Sequence, residues 1–419
     1  MMLQRVQFEA KQLDDYRPLV GDEALAEIRA LAAPLRGARV VHINATAFGG
    51  GVAEILYSLA PLLRDAGMET EWQVIEGAEE FFTVTKVCHN GLQGMDIPFT
   101  EEMKDVWRYY NEMNARRFSG SYDFVVVHDP QPAGLLRYHG RAGGAHWAWR
   151  CHIDTSHPDP AYWDFFAPYI SQYDAGIFTM EPYVGPGVAF DHLAIVPPTI
   201  DPLAPKNAPL EKEQAQEVVA SFGVDVNRPL ITQVSRFDPW KDPLGVIEAY
   251  RIVKQQVPQV QLALIGSMAT DDPEGWEYLD RTVRRAGEDF DIHVLHNFHG
   301  VHAREVAAFQ TVSDVVVQKS TREGFGLVVA EALWKGKPVV GGNVGGIPLQ
   351  VLDGQTGFLV DSPAMCAERA LYLLQHPQES ARMGAAGREH VRRNFLSTRH
   401  LRDYLRLFNT LADRSPAAP

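Results

Sequence analysis

The stretch VVVQKSTREGFGLVVAE, Val315–Glu331, decides the fold. Val315–Gln318 is apolar and β-branched, the composition of a short buried strand. A polar, glycine-containing turn follows, and Leu327-Val328-Val329-Ala330 continues a helix that starts near Gly326. Strand, turn and helix in so few residues is half of a crossover unit, which implies a parallel sheet covered on both faces.

The same alternation runs along the chain in both directions. Before this stretch, strands are expected at Arg39–Ile43, Trp72–Ile75, Phe124–Val127, Trp147–His152, Ala175–Phe178 and Leu193–Val196. Val52–Ala66 reads as a helix with Val52, Ile55, Leu56, Leu59 and Leu63 on one face, closed by Gly67. Pro197, Pro198, Pro202, Pro205 and Pro209 crowd the segment Val196–Leu210. Proline removes donors and fixes dihedrals, so the inter-domain linker is placed there. A second set of strands is expected at Leu230–Val234, Gln261–Ile265, His293–Leu295, Val315–Gln318, Pro338–Gly341 and Gly357–Val360, with helices at Leu244–Gln255 and Ala303–Gln310. Arg392–Leu411 reads as one arginine-rich helix. The expectation is an α/β chain of two doubly wound parallel-sheet (Rossmann-like) domains, residues 1–200 and 210–394, facing across a cleft. Such sheets bind ligands beyond the C-terminal ends of their strands.

At 419 residues the chain exceeds one ordinary core. Its net charge of -14 argues against nucleic acid as a partner, yet leaves small anions open, because a few local cations reverse the field inside a cleft. Cys88, Cys151 and Cys366 are scattered and odd in number, against a disulfide framework or thiolate zinc. No apolar run reaches eighteen residues, and Met1–Arg17 has no secretory h-region. A cytoplasmic protein without membrane contact is the consistent reading.

Two loops of the second half carry candidate chemistry. Arg236 and Lys241 follow the strand at Leu230–Val234, and a guanidinium with an ammonium can neutralise a diphosphate. Surface ion pairs with Asp238 or Asp242 are the plainer role for both. Glu323 is placed to hold hexose hydroxyls, and Glu331 to accept from both hydroxyls of a ribose. The backbone of Gly324, Phe325, Gly326, Leu327 and Val328, at a helix N-terminus, suits phosphate oxygens.

In the first half, Gly49-Gly50-Gly51 follows the first strand, but Glu54 stands where a dinucleotide fingerprint needs glycine. Two later strands end in His128-Asp129-Pro130 and His152-Ile153-Asp154. His152 is assigned a sugar contact near the reacting carbon, with Asp129 or Asp154 on acceptor hydroxyls. A metal site of His128, Asp129, His152, Asp154 and His157 lacks a helical His pair or HExxH pattern, so none is assigned. His157, beside Pro158, reads as a loop cap.

Arg236, Lys241, the Glu323-to-Glu331 motif, Gly345-Gly346-Ile347 and Gly49-Gly50-Gly51 together resemble the retaining, two-domain (GT-B) glycosyltransferases of the sucrose- and glycogen-synthase superfamily. Five stretches narrow this: His42–Thr46, Val74–Gly77, Cys151–Ser156, Val234–Pro243 and Gln318–Gly326 look like trehalose glycosyltransferring synthases. Leu349 stands where many superfamily members carry Glu, a departure shared with that narrower group.

The resemblance implies transfer of glucose from a nucleoside-diphosphate glucose to free glucose, giving α,α-trehalose. It implies catalytic Arg236, Lys241, Glu323 and His152, donor contacts at 324–328 and Glu331, and acceptor contacts at Gly50, Gly51, His128, Asp129 and Asp154. It implies no required cofactor, Mg2+ at most as a diphosphate counter-ion, and a C-terminal helix, 395–419, that returns to the first domain. A homodimer stays open. Two alternatives stay open as well: a trehalose phosphorylase of the same fold, and a non-catalytic two-lobed sugar or nucleotide binder.

Overall fold

The computed structural model describes residues 2–141, 143–268 and 273–413. The chain divides into two compact units: unit 1, Met1–Thr199 with Ser397–Pro419, and unit 2, Ile200–Leu396.

Among the described residues unit 1 holds seven strands, β1 (Gln4–Arg5), β2 (Arg39–Asn44), β3 (Glu69–Val74), β4 (Phe124–His128), β5 (His146–Arg150), β6 (Ala175–Phe178) and β7 (His192–Ile195). Their order is β1-β3-β2-β4-β5-β6-β7, parallel throughout except for β1, which runs antiparallel to β3. The order reverses between β2 and β4, which makes the crevice beyond their ends the natural ligand position. Both sheet faces are covered, which is why the strands read as apolar runs. Val41, Val125 and Trp147 pack with Phe81, Trp107 and Phe166, whereas Val40, Val126 and Ile177 pack with Ile28, Leu59 and Leu63. Each such side chain removed from water is worth about 1.5–3 kcal/mol.

The helix Ser397–Ala412 belongs to this second layer through Leu401, Tyr404, Leu405 and Phe408, and Phe408 stacks on Phe124 of β4 at 4.5 Å. The expected single helix Arg392–Leu411 is two. Pro377–Asn394 ends before Phe395, whose carbonyl accepts from Ile200 N at 2.9 Å, and Leu396 bridges Ile200. A carbonyl spent on a distant strand residue is lost to the helix ladder. Residues 414–419 of the expected C-terminal helix lie outside the described residues.

Among the described residues unit 2 has six parallel strands, β8 (Leu230–Val234), β9 (Gln261–Gly266), β10 (Ile292–His296), β11 (Val315–Gln318), β12 (Val339–Gly342) and β13 (Gly357–Val360), ordered β10-β9-β8-β11-β12-β13. Here the order reverses between β8 and β11. Ile231, Leu264 and Val317 face the helix Pro243–Lys254, through Val246 and Tyr250, and the helix Pro363–Gln375, through Ala370 and Leu373. Leu230, Ala263 and Ile265 face Val219, Ala308 and Phe309.

The strand expected over Trp147–His152 stops at Arg150, because the His152 amide donates to the Asp129 carboxylate at 2.8 Å instead of a strand carbonyl. No helix among the described residues is long and apolar enough to cross a membrane.

Candidate active site

Both sets of candidate residues lie at the two reversal points. In unit 2, β8 leads into Arg236–Asp242 and β11 leads into Lys319–Gly326, and the two loops are tied together. Thr321 N donates to Trp240 O at 2.8 Å, Lys319 pairs with Asp242, and Arg322 lies 5.3 Å from the Trp240 ring centre. Asp238 caps the short turn by accepting from Lys241 N at 3.0 Å. Asp242, at φ 48°, caps the next helix by accepting from Gly245 N at 3.0 Å. Those caps fix the stem of Lys241.

The Lys241 ammonium donates to Glu323 Oε2 at 2.5 Å, and Ser320 Oγ donates to the same oxygen at 3.2 Å. The expected ion-pair role for Lys241 with Asp238 or Asp242 is therefore not what the fold makes; its partner is the other candidate, Glu323. Arg236 does reach Asp238, loosely at 3.5 Å, and keeps 62% of its side chain exposed. Across the two loops four cations, Arg236, Lys241, Lys319 and Arg322, stand against three carboxylates, Asp238, Asp242 and Glu323.

Gly326 holds φ 79° and starts the helix Leu327–Trp334, in whose first turn Val329 N donates back to Gly326 O at 2.9 Å. A side chain at Gly346 would strike Gly324 O and Phe325 Cα at 2.8 Å, so only glycine lets the neighbouring loop support this one. Gln350 completes the support by donating to Phe325 O at 2.5 Å.

Glu331 departs from the expectation of a carboxylate open to a ribose. It has no exposed surface and pairs with Lys206 at 2.7 Å. Lys335 packs beside it, donating to Glu331 O at 3.3 Å and Asn207 Oδ1 at 3.4 Å, and burial lowers this ammonium to about 8. Lys206 comes from the proline-dense segment, where sequence reasoning saw only a linker.

In unit 1 the structure joins His128, Asp129 and His152 and adds a residue the sequence reading missed. His42 Nδ1 lies 3.0 Å from His128 Nε2, and His128 Nδ1 lies 2.9 Å from His152 Nε2. His42 and His128 are buried, and His152 is half-buried. Burial holds all three rings below the ordinary imidazole range, His42 at about 3, and nearby Arg150 depresses His128 and His152 further. The row is neutral. The signal for His42 was a lone polar residue in the apolar run Val40–Ile43. Its face is that of His128 only once β2 is paired with β4.

Asp129 adopts φ 65°, an uncommon conformation for a non-glycine residue, and burial raises its carboxyl to about 7. Asp154, expected on acceptor hydroxyls, commits Oδ1 to Ser156 N at 3.0 Å and Ser156 Oγ at 2.6 Å. It shapes its own turn. Gly50 and Gly51 are exposed at the head of the helix Gly50–Asp65, with Gly49 and Gly50 at φ 69° and 77°. His157 is exposed. Among the described residues no group of three or more His, Cys, Asp or Glu side chains could hold a metal ion.

Known proteins match this chain over nearly its whole length. Residues 42–185 match the trehalose synthase N-terminal domain, and residues 214–390 match glycosyl transferases group 1. A trehalose synthase of Rubrobacter xylanophilus is 54% identical over 414 residues, covering 98% of this chain and 99% of its own. One from Pyrococcus horikoshii is 50% identical over 403 residues, covering 96% and 97%. The solved E. coli trehalose-6-phosphate protein bound with UDP-2-fluoro glucose superposes with a TM-score of 0.72, covering 91% of this chain and 100% of that one at 15% identity. That last likeness speaks to the fold, which is GT-B. On the full-length identities, the chain belongs to the trehalose synthase family of glycosyltransferases.

Proposed function

We propose that this chain moves glucose, with retention, from a nucleoside-diphosphate glucose to free glucose, releasing α,α-trehalose and the nucleoside diphosphate. The observation that carries the reading is the Lys241–Glu323 pair at the β8/β11 reversal, beside the helix start at Leu327. Lys241 and exposed Arg236 meet the diphosphate, whose negative charge grows as the glycosidic bond breaks. Fixed cations there lower the barrier as well as the binding energy. Glu323, oriented by Lys241 and Ser320, holds the donor glucose.

Backbone N–H groups at 324–328 take phosphate oxygens, and Mg2+ acts at most as a counter-ion to the diphosphate. A ribose reaches Glu331 by displacing Lys206, the one partly exposed member of that pair. In unit 1, His152 and Asp129 meet the acceptor, with His128 behind them and Gly50 and Gly51 at the neighbouring turn. A phosphate oxygen of the leaving group takes the acceptor proton, so no carboxylate nucleophile is needed, in contrast to retaining glycosidases. The three buried free thiols fit a reducing cytoplasm.

The test is incubation with ADP-, UDP- or GDP-glucose and free glucose, with the disaccharide identified by NMR. A 1,1-linked α,α product with equimolar nucleoside diphosphate supports the reading. Phosphate-dependent trehalose cleavage without any nucleotide would make it a phosphorylase. Saturable ligand binding with no nucleoside diphosphate released would leave a binding protein.

A further inference from the structure

Three strands of unit 1 carry one row of hydrogen-bonded imidazoles: His42 on β2, His128 on β4, and His152 just past β5. Each contact holds one proton between two nitrogens, and each neutral ring has one N–H. The row therefore has two states. Either every ring carries its proton on Nδ1, or every ring carries it on Nε2. What His152 offers at its free nitrogen is thus decided at His42, two hydrogen bonds away.

The inner end favours one state. His42 Nε2 is buried with no hydrogen-bond partner. An N–H there would be an orphaned donor, and the groups around it are mostly donors themselves. The Tyr404 ring lies 5.8 Å from His42, with His400 5.1 Å from Tyr404, and neither the Tyr404 hydroxyl nor the Arg150 guanidinium has a hydrogen-bond partner. Arg150 is fully buried on β5, in register with His128. On the C-terminal helix, Arg399 donates to Asp403 at 2.6 Å and to Pro197 O at 2.5 Å, and His400 sits beside the same carbonyl without a well-formed hydrogen bond. Of the acids, Asp403 is taken by Arg399 and Asp129 by the His152 amide. Beside unpartnered donors, a bare lone pair on the buried His42 Nε2 costs less than an orphaned N–H.

We infer that His42 and His128 are positioning residues that hold His152 in its Nδ1–H tautomer, so that His152 meets the substrate as a fixed donor to an oxygen and never as a base. This rests on His152 being the sugar contact proposed above. The burial that keeps all three rings neutral maintains the arrangement across neutral pH.

Long-range proton–nitrogen spectra of the full chain, labelled with 15N-histidine, read the tautomers directly. The expected wild-type result is Nδ1 protonated in His42, His128 and His152. His42→Asn places an amide N–H near the former Nδ1–H and should keep the His152 state. His42→Leu removes it, and His152 should move to Nε2–H with kcat/KM for the acceptor down about tenfold and KM for the nucleotide sugar held. Nε2–H on wild-type His152, a charged imidazolium at neutral pH, or equal behaviour of the Asn and Leu variants would overturn the inference. Because the spectra are taken on free protein, they decide it even if no glucosyl transfer is found, and wild-type spectra suffice if the Leu variant does not fold.

Discussion

At the reversal point of unit 2 the side chains are charged and paired: Lys241 with Glu323, Lys319 with Asp242, Lys206 with Glu331. At that of unit 1 three neutral rings are joined in a row, His42 to His128 to His152, beside the buried Arg150. On the function proposed above, the same topology supports two kinds of recognition. A departing diphosphate changes its charge during reaction, and only fixed charge answers that. A neutral sugar hydroxyl changes little in charge, and a donor of fixed direction suffices to orient it. The contrast can be broken experimentally in four places.

The largest effect belongs to Lys241. Lys241→Ala should lower kcat by about 100- to 1000-fold, as removal of a single transition-state donor does elsewhere. Leaving Glu323 unpaired should also lower the unfolding midpoint, and near-normal turnover of the folded variant would place the catalytic charge elsewhere. Second comes Glu331→Gln, which leaves Lys206 and Lys335 facing an uncharged amide. We expect a stability loss of up to about 3 kcal/mol in denaturant titration, the low end for a broken buried pair because Lys206 keeps a solvent-facing side. An unchanged midpoint would show the pair to be incidental.

The third is a pH signature of opposite signs within unit 1. His42 is depressed from 6.5 to about 3, so its contribution to stability is fully present above pH 6.5 and is lost as pH falls toward 3. Asp129 is raised from 3.8 to about 7, so its contribution is present below 3.8 and is lost as pH rises through 7. Melting measured from pH 4 to 8 should therefore show Asp129→Asn gaining on wild type as pH rises, and His42→Leu gaining as pH falls. Parallel curves for all three proteins would remove these groups from the account. The smallest effect is Arg322→Ala at the Trp240 face, which should cost about 0.5–1 kcal/mol, seen as a several-fold rise in KM for the nucleotide sugar.

How much of this was legible beforehand follows from the range of each interaction. The strands of both sheets could be read because two-sided burial makes them continuous apolar runs; β11 and β13 coincide with their expected bounds. β1, two residues at an edge, has no pattern to read. The loops at 236–242 and 319–326 were legible because their caps, glycines and charges are local. The Asp-x-Ser turn at Asp154 is also local, and the pairing of its Oδ1 with Ser156 was there to see. What no local reading reaches is contact set by strand order or by distant chain. Lys206 finds Glu331 across 125 positions, His42 finds His128 only through β2 and β4, and the break at Phe395 depends on Ile200.

The division of the chain has a consequence for how it is made. Unit 1 is assembled from two separated segments, and the helix bearing His400 and Tyr404 leaves the ribosome only after all of unit 2. Domains generally form as units during synthesis, at about 5–20 residues per second. The first unit therefore waits, its imidazole row uncovered, for the roughly ten seconds or more that synthesis of the second unit takes. A released chain ending at Leu396 should remain open to protease around β2 and β4.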